Sequence, residues 1–194
     1  MNYETKTTKS IVKEFIWEFV KILVISLAIV VPVRYFLIQP FYVKGASMEP
    51  NFHDHEYLII DQISFRFSEP QRGEVIVFRS PYNWHDYFIK RVIGLPGERI
   101  EVKDGEVYLH NNEFKNGTKI DESEYLFPGT RTPGQIDFTL NEDEFFVLGD
   151  NRNSSLDSRS FGPVLRQRIV GRAWLRGWPF SRISKFNIPI YTFR

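Results

Sequence analysis

The hydrophobic rhythm of the chain changes once, near Pro40. Before it, a polar start gives way to a long apolar run. After it, short runs of β-branched and aromatic residues alternate with turns. Met1 to Ser10 is polar, carries Lys6 and Lys9, and reads as a poorly ordered tail, with Ser10 placed to N-cap a helix beginning at Ile11. From Val20 to Ile38 almost every residue is apolar. The only charges there, Lys21 and Arg34, stand near the two ends, where long side chains can reach an interface. As a helix this span is about 28 Å long, close to the roughly 30 Å of a bilayer's hydrocarbon core. Pro32 is compatible with a kink. Lys6, Lys9 and Lys13 precede the run, which places the N-terminus in the cytoplasm and the remainder outside.

The expected organisation is therefore a cytoplasmic tail and helix start over 1–19, a transmembrane helix over 20–38 and an extracytoplasmic domain over 39–194. A cleavable signal peptide fits less well: its apolar region is shorter, and a cut at the site that Val43 and Gly45 would make leaves Ser47 beside a new terminus. A buried globular helix also fits less well, because no other segment is helical enough to pack around it.

Beyond Pro40 the pattern predicts strands at Phe41–Lys44, Glu56–Ile60, Glu74–Phe78, Tyr87–Gly94, Glu144–Leu148 and Ile169–Arg176. Ile100–Lys103 and Glu106–Leu109 flank Asp104-Gly105, a strong short-range hairpin signal. Asn111 to Asp137 is polar and reads as an inserted loop or small lobe. The domain is expected to be mainly β. Composition narrows the chemistry. The chain has no cysteine, which removes thiol nucleophiles, disulfides and thiolate zinc sites together. A formal net charge of +1 creates no field for nucleic acid. The four histidines have no HExxH spacing, so no metal and no cofactor is expected.

Three stretches carry candidate chemistry. Gly45-Ala46-Ser47-Met48-Glu49-Pro50 places a serine at a strand end, with Gly45 freeing the backbone and Pro50 closing the turn. Lys90 stands inside the apolar strand Tyr87–Gly94. By alternation it shares a face with Phe88 and Val92, while Arg91 takes the other, so one of the two basic residues must lean towards the core. A desolvated lysine loses its charge more easily and can then take a proton from serine, which needs a base because its own pKa is too high. The third stretch, Gly149 to Arg159, is polar at nearly every position yet follows directly on an apolar strand. There Asp157 can brace Arg159 or Arg152, and Ser155 can hydrogen-bond an amine. His53-Asp54-His55 is too close along the chain to sit under the Ser47 hydroxyl as a triad.

In this order, behind an N-terminal apolar span, the stretches resemble the boxes of a bacterial type I signal peptidase, the Ser-Lys dyad leader peptidase family. They are Ser47-Met48 with Pro50; Lys90-Arg91-Val92-Ile93-Gly94-Leu95-Pro96-Gly97-Glu98; and Gly149-Asp150-Asn151-Arg152-Asn153-Ser154-Ser155-Leu156-Asp157-Ser158-Arg159. The resemblance runs from about Val20 to Trp178. It implies a β domain of the signal-peptidase type behind a single membrane pass, with Ser47 as nucleophile and Lys90 as general base. It also implies that Ser155 orients the amine and that Asp157 and Arg159 hold the scaffold. Signal peptides of exported preproteins are the implied substrates, with membrane lipid and the secretion machinery as further partners. Val43 and Ile89 are expected to line substrate pockets. Some members carry a hydroxyl residue two places before the nucleophile as an oxyanion donor. Gly45 stands there in this chain, leaving the Ser47 N–H and a neighbouring donor. Two other readings fit less well. A self-cleaving Ser-Lys repressor conflicts with the apolar span and the lack of a DNA-binding helical region. A non-catalytic membrane-anchored β domain leaves Ser47 and Lys90 without a purpose.

Overall fold

The structure, a computed structural model, describes residues 8–32, 38–191 and 193. It divides into two units, Met1–Ile38 and Gln39–Arg194. The first holds helix α1, Thr8–Pro32. Because α1 already includes Ser10, that residue is not the cap expected of it. The side chains from Ile11 to Val31 are exposed. Glu14, Glu18 and Lys21 interrupt the apolar surface, the last two paired at 2.6 Å. From Ile22 to Pro32 the helix is uncharged, but that length spans only about 16 Å, well short of a bilayer core. Among the described residues no helix is long and apolar enough to cross a membrane. The expected span to Ile38 is corrected at its end. Ile38 opens a strand, as suits a segment leading to Pro40, which cannot continue a helix. Residues 33–37, which fell within that span, lie outside the described residues.

The second unit is mainly β. Its larger sheet runs β1 (Ile38–Tyr42), β2 (Tyr57–Asp61), β11 (Ile169–Trp178), β3 (Val75–Arg79), β4 (Tyr87–Gly94), β9 (Glu144–Leu148) and β10 (Val164–Leu165), with β12 (Ser184–Lys185) also on β11. Pro40 is tolerated because β1 lies at the sheet's edge. The smaller sheet runs β7 (Thr118–Lys119), β6 (Glu106–His110), β5 (Arg99–Lys103) and β8 (Ile136–Thr139). Asp104 (φ 53°) and Gly105 (φ 81°) make the tight turn between β5 and β6, as the Asp-Gly pair predicts. The stretch from Asn111 to Asp137 supplies β7 and leads into β8, so it belongs to this second sheet.

Alternation along β3 shows how the larger sheet is filled. Val75 and Val77 join Leu58, Ile60, Met48 and Phe52 in one core cluster; Ile76 and Phe78 join Val92, Phe145 and Val147 in another. With clusters against both faces, the central strands are dry on both sides, and β4 runs buried from Lys90 to Gly94. Alternation requires one of Lys90 and Arg91 to lean inward, and the structure buries both, each 4% exposed. Buried cations must find partners, and the partners of these two define the site.

Candidate active site

The Ser47 segment is pinned at both ends. Val43 N–H donates to Glu56 O at 2.8 Å, and His55 N–H returns to Val43 O at 3.0 Å. Gly45 takes φ 93°, a conformation that L side chains rarely adopt, and gives its N–H to Asp54 Oδ1 at 2.9 Å. The chain then coils. Glu49 N–H reaches Ala46 O at 3.2 Å, and Asn51 and Phe52 N–H reach Met48 O at 3.0 and 2.9 Å. Met48 and Phe52, each 1% exposed, anchor this turn in the core, contributing about 1.5–3 kcal/mol apiece. Buried Arg176, paired with Glu56 at 2.8 Å, donates to Asn51 O and holds the far end. Ser47 is left half-buried at the mouth of a cavity of about 380 Å³, which Lys90, Val43, Ile89, Phe88 and Leu156 also line.

Lys90 Nζ donates to Ser47 Oγ at 2.8 Å and to Ile89 O at 2.7 Å. Burial pushes its pKa down from 10.5 to about 8, against the opposing pull of the Asp157 and Asp150 carboxylates. An amine poised there is neutral in a useful fraction of molecules near neutral pH.

The third stretch packs against this pair. Gly149 comes so near that an added Cβ would lie 2.1 Å from Ser155 Oγ and 2.5 Å from Ser47 O, so only glycine fits. Asp157, fully buried, caps the short helix α2 (Ser158–Phe161) and accepts from Gly149 N–H at 3.0 Å. Arg159 holds the same carboxylate with Nε and Nη2, both at 2.8 Å. Burial pushes this carboxyl up, but the bonds from Arg159 and Gly149 outweigh it and hold it below its ordinary value. Of the two arginines left open by the sequence, Arg159 is the brace. Arg152 instead grips Glu122 at 2.6 and 2.7 Å. Lys90 Nζ bonds Ser47 Oγ and the Ile89 carbonyl, while Ser155 Oγ sits beside Gly149 and makes no hydrogen bond to the amine.

The family model described as "Signal peptidase, peptidase S26" matches residues 16–178. The chain belongs to this family. It is 38% identical to a probable signal peptidase I of Synechocystis, over 93% of this chain and 82% of that one. It is 32% identical to a signal peptidase I of Bacillus amyloliquefaciens, over 93% and 96%. A solved signal peptidase I from Enterococcus faecalis aligns with a TM-score of 0.44 and 32% identity, over 54% of this chain and 97% of that one. As a member of the signal peptidase family, the protein is a serine endopeptidase.

Several residues that brace the Ser47–Lys90 pair do not stand out in the sequence. Arg91 forms a two-bond pair with Asp150 at 2.8 and 2.6 Å, and Asp150 also accepts from Asn51 Nδ2 at 2.8 Å. The lysine strand, the polar stretch and the serine turn thus meet on one buried carboxylate. Asn51 Nδ2 donates again to Tyr125 O at 2.7 Å, which ties in the smaller sheet's connection. The available signal was an arginine directly after Lys90 and an aspartate opening the polar stretch. A larger cavity, about 470 Å³, is lined by Arg91, Arg172 and Phe186 among others but by neither Ser47 nor Lys90.

Proposed function

We propose that this protein removes N-terminal signal peptides from exported preproteins, with Ser47 as nucleophile and Lys90 as general base. The observation that carries this reading is the 2.8 Å approach of Lys90 Nζ to Ser47 Oγ, at an amine whose pKa burial has lowered to about 8. The neutral amine takes the hydroxyl proton as Ser47 Oγ bonds to the scissile carbonyl carbon. The carbonyl π pair moves onto oxygen, and the Ser47 N–H is aimed to bind that charge. Collapse breaks the C–N bond. The proton held by Lys90 goes to the leaving amine, and the mature protein departs. Water then attacks the ester carbonyl as the same lysine takes its proton; the bond to Ser47 Oγ breaks, that proton passes to Oγ, and the signal peptide is freed. Asp157 and Arg159 keep the Gly149 approach fixed, while Ser155 packs against Gly149.

The substrate binds as an extended strand between the chain following β1 and the start of β4. Alternate side chains then face the enzyme, so the residue before the cut and the one two earlier enter the cavity together. Val43, which is buried, and half-buried Ile89 keep both pockets shallow. Small residues are preferred at the two positions.

Membrane attachment is part of the same reading. The exposed apolar side chains of α1, with the basic residues before them, fit an anchor whose N-terminus is cytoplasmic and whose β domain lies outside. Trp174, Trp178 and Phe180 are 37%, 47% and 70% exposed, which leaves these rings free to meet lipid rather than the core. The experiment is preprotein cleavage by the full chain in membranes, paired with protease treatment of spheroplasts. Processing dependent on Ser47 and a protease-accessible β domain are expected. Absent processing, or a fully protected domain, overturns the corresponding half.

A further inference from the structure

The Ser47 N–H is a donor with nothing of the protein's own to bind: among the described residues no group accepts it. Its direction is set by the peptide unit it belongs to. That unit joins Ala46 to Ser47, and in a planar trans peptide the carbonyl and the N–H point in opposite directions. Holding Ala46 O therefore aims the Ser47 N–H.

Asn151 does the holding. Its Nδ2 donates to Ala46 O at 3.1 Å, and its backbone N–H donates to the next carbonyl, Ser47 O, at 3.0 Å. One residue thus grips the carbonyl on each side of the nucleophile's amide. Asn151 is itself fixed by its neighbours. Asp150 before it is locked to Arg91, and Ser154 N–H closes a turn onto Asn151 O at 3.0 Å. Ala46 O also receives Glu49 N–H at 3.2 Å. A carbonyl loaded by two donors polarises its peptide and strengthens the N–H at the other end. Gly45 cannot share the task, since it has no side chain and its N–H is already given to Asp54.

We infer that Asn151 is a positioning residue: it aims the Ser47 N–H at the oxygen that becomes negative when the scissile carbonyl is attacked. The inference rests on Ser47 being the nucleophile, and its effect belongs to the transition state rather than to substrate binding.

The test uses the full chain in detergent with Asn151→Leu, which removes the amide while keeping the number and branching of side-chain heavy atoms, together with Asn151→Ala and the conservative Asn151→Gln. Four quantities are measured: kcat, KM, the pH of the acid limb, and affinity for two peptides. One is a peptide aldehyde, whose hemiacetal oxygen with Ser47 occupies the oxyanion position. The other is the same peptide with a methyl group in place of the aldehyde, which places no oxygen there. For Asn151→Leu, kcat is expected to fall roughly ten- to a hundredfold, below the full loss of one oxyanion donor. KM should stay within about twofold, the acid limb should not move, and aldehyde affinity should drop in step with kcat while the methyl peptide binds as before. Asn151→Gln should recover part of the loss. An unchanged kcat, an equal loss of both peptides, or a shifted acid limb overturns the proposal. If Asn151→Leu does not fold, the same readings are taken from Asn151→Ala. Failure of the aldehyde to bind the unaltered protein overturns the Ser47 assignment itself, and this inference with it; normal binding there with insensitive Asn151 variants overturns this inference alone.

Discussion

Lys90 Nζ lies 2.8 Å from Ser47 Oγ, although the two residues are 43 positions apart and come from different structural elements. The lysine is held rigidly in the middle of a sheet, on a strand paired with neighbours on both sides. The serine rides on a coil anchored by Met48 and Phe52. Neither side chain has far to move for proton transfer, and the amine's surroundings disfavour its charge. Five consequences are open to measurement.

Replacing either member of the pair should stop the chemistry without dismantling the domain. Ser47→Ala and Lys90→Ala are expected to lose preprotein cleavage to background while keeping a cooperative melt. Lys90→Arg should be equally inactive, because a guanidinium stays protonated. Substantial processing by Ser47→Ala removes the nucleophile assignment.

Activity should rise with pH. The Lys90 pKa is depressed by burial to about 8, and the proposed mechanism needs the neutral amine. A plot of kcat/KM against pH should therefore show an acid limb near 8, rising tenfold per unit below it. A limb near the ordinary lysine value would mean that another group supplies the base.

The same depression is a cost to the fold. Between about 8 and 10.5 the unfolded chain binds the Lys90 proton more tightly than the folded one, so this group's contribution to stability increases with pH across that window. Below it, the penalty is complete, of the order of 3 kcal/mol. Lys90→Met should accordingly raise the urea midpoint at pH 7, with the gain shrinking by pH 10. A variant less stable than the parent at pH 7 contradicts this account.

The Arg91–Asp150 pair should behave unlike an exposed one. Their side chains are 5% and 0% exposed, so Asp150→Asn strands a buried guanidinium and should cost about 3–5 kcal/mol. Arg99 and Asp137 are 39% and 57% exposed, and Asp137→Asn should leave the denaturation midpoint within error. Equal effects in the two variants would show that Asp150 is not the shared anchor of the three segments.

Pocket depth should be adjustable at Val43 and Ile89. Ile89→Ala is expected to relax the preference for small residues before the cut, read as a rise in kcat/KM for peptides carrying valine or leucine there. A substrate library showing free acceptance of large residues by the unaltered protein would remove these pockets from the proposal.

Much of this protein is decided locally, and so is legible along the chain. Strands at Val75–Arg79, Tyr87–Gly94 and Glu144–Leu148 follow from β-branched and aromatic runs, and the β5–β6 turn from Asp104-Gly105, because alternation and turn geometry act over a few residues. Ser47, Lys90 and Asp157 stand out through their residue types within recognisable stretches. What those stretches do to one another is not local. The order β1-β2-β11-β3-β4-β9-β10 is settled by which apolar faces bury one another across the whole domain, and it is this order that delivers Lys90 to Ser47. Only the folded arrangement buries Arg91 together with Lys90, gives Asp157 to Arg159 while sending Arg152 to Glu122, and sets Ser155 against Gly149. Asn151 shows the difference most sharply. Nothing in an asparagine's neighbours along the chain says that it will clamp Ala46 O, because that bond exists only after two segments separated by 105 positions have packed together. Polar partners inside a protein are selected by what burial brings within about 3 Å, and a sequence read in order contains no such distance.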